Sequence, residues 1–221
     1  MRCQKHLKSI INEILLIKSM KGIFLTVLLI TDVFFPIIFI LLSKVKPDSF
    51  YGNTIEMIQY CYPFFSSLLV VFVLRNYIEH YNCEVYFINS KIKIKEVALI
   101  LLIYTFELLI PFLVCFNIDK KMVFEFGRVF AQCLLFSSCA YTLMFITMSV
   151  PISISVLFIY LIVSLYNMQA HHKILVFCSY EEMSKENILN NILPLVIASL
   201  IFILIGMVAN YYRSKNYSSN I

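Results

Sequence analysis

A chain of 221 residues that is 61% hydrophobic and only 14% charged cannot cover a core with polar surface in water, where soluble domains carry roughly 25% charged residues. With a mean hydropathy of +0.85, the composition predicts a single integral membrane domain over 1–221 and excludes a water-soluble one. The net charge of +5 reads as the basic flanks of membrane spans, so no nucleic-acid partner is expected.

The chain opens on an amphipathic stretch. In KHLKSIINEILLIK (5–18), Leu7, Ile10, Ile11, Ile14 and Leu15 share one helical face, and Lys5, Lys8, Asn12 and Glu13 lie largely on the other. This predicts a helix over 5–20 lying in the lipid interface, its lysines toward anionic headgroups. No small-residue cleavage site follows, so a cleaved signal peptide is not expected.

Apolar runs then predict six membrane spans, at 23–42, 57–74, 97–116, 129–150, 152–168 and 188–211. Each is near the roughly 20 residues needed to cross the hydrocarbon and too long for a barrel strand. The fifth is short, and Pro151 marks a tight break from the fourth. Pro36, Pro63 and Pro111 are expected to kink their helices. Two acids fall inside spans: Asp32, four residues before Pro36, and Glu107, four before Pro111. An ionised carboxylate at mid-membrane costs roughly 2.5–3.5 kcal/mol, so both should face protein or water. They either line a translocation path or pack as hydrogen-bonded acids between helices. Seven cysteines without a Cys-x-x-Cys pair read as small hydrophobes, with no disulfide framework or metal site.

Placing both termini inside puts eleven of the 18 Lys and Arg residues on the inner side and seven on the outer, which favours cytoplasmic termini. The only long inner connection is then RNYIEHYNCEVYFINSKIKIKE (75–96). Over 77–88, Ile78, Tyr81, Val85 and Ile88 form one stripe, and Glu79, Asn82, Cys83 and Tyr86 another. Such a helix would lie flat at the interface. Its polar stripe would form either a docking surface or a solvated face.

The segment 75–84 (RNYIEHYNCE) resembles the acidic coupling element of ABC-2-type transporter permeases, the membrane subunits of bacterial ATP-binding-cassette exporters. The basic run KIKIK (91–95) falls where that family usually has a Pro-containing turn followed by a basic residue. The joined runs 137–150 and 151–165 are similar to its fourth and fifth helices. The stretch 169–187 falls where the family places re-entrant helices, and NYYRSK (210–215) resembles its short basic tail. The usual Gly and Pro of the coupling region are absent here. The resemblance covers the whole chain and implies an all-α fold of six spans, with an interfacial helix and a coupling helix over 76–90. It implies that Glu79, His80, Tyr81, Asn82, Glu84 and Tyr86 meet a cytoplasmic ABC ATPase subunit. A second permease subunit, the same chain or a different one, would complete the transporter in the bacterial plasma membrane. ATP and Mg would be bound by the partner, because Gly22, Gly52, Gly127 and Gly206 are too scattered for a phosphate-wrapping loop. The aromatic-rich spans suit a hydrophobic or amphipathic cargo such as a peptide, antibiotic or lipid. The chain itself would not be an enzyme.

Two other classes stand beside this one. His171 and Cys178, seven apart, share a spacing found in membrane cysteine peptidases that process signalling peptides, where a thiolate needs a nearby base. Those enzymes carry the pair early and on the inner side, unlike this chain. A six-span substrate-binding subunit of a vitamin importer would lack a coupling helix of this kind.

Overall fold

The computed structural model describes residues 21–78, 94–169 and 188–219, and every regular element among them is helical. Six helical segments are long and apolar enough to cross a membrane: Leu25–Val45, Phe50–Arg75, Val97–Ile118, Met122–Thr147, Val150–Asn167 and Leu189–Arg213. They are called here the first to sixth spans. The interfacial helix expected over 5–20 and the stretch 170–187 lie outside the described residues, as does all of the 76–90 segment beyond Ile78.

The second and fourth spans are the middle of the bundle. About 67% and 72% of their apolar windows are buried, against 28%, 22% and 11% for the first, fifth and sixth. The sixth span packs along the fourth, and the fifth rests on the second and fourth. The third touches the first, second and fourth. This arrangement follows from side-chain chemistry. The two middle helices carry the polar residues that lipid cannot accept, including Gln59, Ser66, Ser67, Gln132, Ser137 and Ser138, all buried. The outer helices present Leu, Ile, Val and Phe outward, as expected of surfaces solvated by lipid tails.

The second and fourth helices start at Phe50 and Met122, about two turns before the apolar runs at 57 and 129. The connections on that side shrink accordingly. The first span stops at Lys46, whose extended φ of −138° leaves the helix, and a 3₁₀ turn at Pro47–Ser49 leads into the second. Between the third and fourth spans the Asp119 carboxylate accepts the Lys121 N–H at 3.0 Å. This is a side-chain turn that leads the chain into the next helix.

The fourth span ends where Met148 takes the left-handed conformation (φ 51°), its N–H bonded to Met144 O at 3.1 Å. Ser149 follows, and Pro151 falls in the first turn of the next helix, where its missing N–H costs nothing. Thr147 Oγ1 and Ser153 Oγ, 3.1 Å apart, bridge the joint.

The fourth–sixth contact depends on the lack of a side chain at Gly206. A Cβ there would sit 2.5 Å from Tyr141 Cδ1 and 2.9 Å from Thr142 Oγ1. The Thr142 hydroxyl bonds the Phe202 carbonyl across the same contact. Gly206→Ala should therefore destabilise the folded protein by about 1–3 kcal/mol through overpacking. Gly52→Ala, with open space around it, should be neutral or stabilise by up to about 1 kcal/mol. Thermal unfolding in detergent distinguishes the two variants.

Candidate functional site

The first span is not a continuous α-helix. Lys21–Leu28 is α-helical, Leu29–Phe34 is a π-helical turn, and Phe35–Val45 is α-helical again. The cause is Pro36. A proline has no N–H to bond the carbonyl four residues back, and its ring clashes there. The chain widens instead, and the Phe35 N–H bonds Ile30 O, five residues back.

This widened turn carries Asp32, which is about 10 Å along the helix from Leu25 and therefore inside the hydrocarbon. Asp32 and Glu107 of the third span come together, with their carboxyls within hydrogen-bonding reach. One Asp32 oxygen, Oδ1, is buried and has no hydrogen-bond partner among the described residues. Both side chains are half-buried. Val33, Phe34, Phe106 and Ile110 on the same two helices are exposed, so the pair lies just under the lipid-facing edge of the bundle.

Two buried tyrosines frame the pair. Tyr62 of the second span donates to Thr31 O at 2.8 Å. Tyr104 of the third donates to Tyr62 O at 3.0 Å. The Tyr62 ring also packs on Phe35, with centroids 5.5 Å apart. Three spans are thus joined at one depth by hydroxyl-to-carbonyl bonds, with two carboxyls beside them. Chemically, such a layer can hold a proton or a cation between its acid oxygens in a medium where little else competes for either.

A second polar group was not legible from hydropathy. Arg128 and Glu125, near the start of the fourth span, are about 1% and 0% exposed, and they pair at 3.3 Å. The Tyr51 hydroxyl bonds Glu125 Oε1, and Lys121 Nζ lies 6.0 Å from the Tyr51 ring centre. Arg128 therefore belongs to the helix interior. It is not one of the loop charges that orient the chain. Farther along the same seam, Gln132 Nε2 donates to Gln59 Oε1 at 3.2 Å, and Ser137 Oγ to Ser66 Oγ at 3.2 Å. Glu125 and Gln132 are seven apart, as are Gln59 and Ser66. That heptad spacing is the sequence signal for two helices facing each other along a near-parallel seam.

The other residues singled out in the sequence are not placed. Glu79, His80, Tyr81, Asn82, Glu84 and Tyr86 lie outside the described residues, as do His171 and Cys178. Among the described residues, no group of three or more His, Cys, Asp or Glu side chains could hold a metal ion. No family model, curated protein or solved structure matches the chain.

Removing one member of a buried ion pair leaves an uncompensated charge, at a cost of roughly 3–5 kcal/mol. Arg128→Met alone should therefore sharply reduce the yield of folded protein. Adding Glu125→Leu should recover most of the loss, because replacing both charges removes the desolvation cost as well. Fluorescence-detected size exclusion of the two variants checks this.

Proposed function

We propose that the chain is the membrane-spanning permease subunit of an ATP-driven exporter of the ABC-2 type, paired with a second permease subunit and served by a separate cytoplasmic ATPase. The observation that carries this reading is the meeting of Asp32 and Glu107, two acids that the hydrocarbon disfavours, on the two helices flanking the second span. Intramembrane acids kept despite their cost commonly mark transport paths. In this reading the pair contacts the polar or cationic part of an amphipathic cargo, and the exposed aliphatic flanks of the first and third spans accept its apolar part.

The helical layout supports a route for the coupling motion. The second span's helix runs without a break to Ile78, and the third span's helix starts at Ile94. In this reading the coupling helix expected over 76–90, with Glu79, His80, Tyr81, Asn82, Glu84 and Tyr86 toward the ATPase, falls in sequence between the two, its first three residues (76–78) belonging to the end of the second span's helix. A push there would travel along two rigid helices, about 24 Å from Ile78 to Tyr62 and about 20 Å from Ile94 to Glu107. Those helices meet through the Tyr104–Tyr62 bond. In the same proposal both termini are cytoplasmic, the 5–20 helix lies on the inner leaflet of a bacterial plasma membrane, and ATP and Mg are held by the partner.

The test is extraction from native membranes in mild detergent, with identification of the co-purifying chains. A stoichiometric chain bearing a phosphate-binding loop should accompany the protein and be lost when Glu79 and Glu84 are both changed to Lys. Asp32→Asn and Glu107→Gln should keep that association but lower ATP turnover of the reconstituted complex by about tenfold, the scale of one lost charge-assisted contact. A folded protein that always purifies alone would overturn the proposal.

A further inference from the structure

Thr31 carries a backbone carbonyl that the helix itself does not serve. In the π register its donor would be residue 36, which is proline and has no N–H. In the α register its donor would be the Phe35 N–H, which is engaged with Ile30 O. A carbonyl left unbonded in hydrocarbon is costly. The bond comes from another helix, from the Tyr62 hydroxyl at 2.8 Å. Thr31 is fully buried, and its own hydroxyl turns back to Val27 O at 3.0 Å.

We infer that Pro36 and Tyr62 work as one device: the proline opens the π-turn, and the tyrosine hydroxyl catches the carbonyl it leaves, holding Asp32 against Glu107. The π-turn is then the joint of the first span, and the second span carries the catch. Tyr104 steadies the catch by bonding the Tyr62 carbonyl. A small rotation of the second span withdraws the hydroxyl, and the turn loses the bond that fixes its shape. Tyr62 is a positioning residue in this device, and its role does not depend on the transport reading.

The two residues should depend on each other in a way that simple packing would not produce. Tyr62→Phe keeps the ring against Phe35 and removes only the donor. Pro36→Ala restores an N–H that can serve Thr31 in the π register, or lets the Phe35 N–H do so if the turn closes to α. The experiment is amide hydrogen exchange of the full chain in lipid nanodiscs, comparing wild type, Y62F, P36A and the double variant. Y62F should speed exchange over 29–35 by about tenfold and leave 122–147 unchanged. In the P36A background the same Tyr62→Phe change should have less than about a twofold effect, because Thr31 no longer needs the hydroxyl. Equal effects of Tyr62→Phe in both backgrounds, or none in either, would overturn the inference. The first outcome would make Tyr62 a packing residue, and the second would make the bond idle.

Discussion

Everything in this bundle is constrained by the fact that hydrocarbon offers no hydrogen bonds. Each polar group in a span must find its partner within the protein. Most of the hydroxyls meet this locally. Thr31 and Thr105 bond carbonyls four residues back, and Ser67, Ser138 and Ser199 bond carbonyls three back. These residues are polar in name and nearly silent toward their neighbours. Against that background, side chains that reach another helix stand out, among them Tyr62, Tyr104, Tyr51, Gln132 and Ser137. They mark two places where helices are held in register by more than shape.

The two places differ in character. Along the second–fourth seam, charges and amides are fully enclosed and meet complementary partners at heptad spacing, which suits a fixed pair of helices. At the first–third edge, two like groups face each other beneath an exposed apolar surface, on a helix whose register is already broken. Such a layer has less to hold it and more that can change. In the proposed transporter, motion delivered along the second and third helices would be felt first at this edge.

Much of the architecture was legible in the sequence because it depends on long apolar runs, which periodicity and hydropathy read directly. Asp32 and Glu107 were also legible, since an acid inside such a run has no cheap explanation. Their meeting was not, because nothing in one sequence says which faces of two helices meet. The starts of the second and fourth spans were missed for a related reason. Glu125 and Arg128 look like loop charges when counted singly, yet they cancel when buried together. The role of Tyr62 was hidden as well. Its importance comes from a carbonyl orphaned by Pro36 on another helix, and Phe and Tyr look alike in a hydropathy plot. The segments carrying the closest family resemblance, 76–90 and 169–187, lie largely where the structure describes nothing.

The most direct test of the account is whether residues 32 and 107 are neighbours in the membrane. Cysteines would be placed at both positions in a chain whose seven native cysteines have been replaced, split between the second and third spans so that a link joins the two fragments and is visible on a gel. A short bifunctional thiol reagent applied to intact membranes should join the first and third spans from these two positions. It should not do so when position 32 is paired with the outward-facing position 106. Failure to link 32 and 107, with both thiols shown to react singly, would contradict the carboxyl pair and the site built on it.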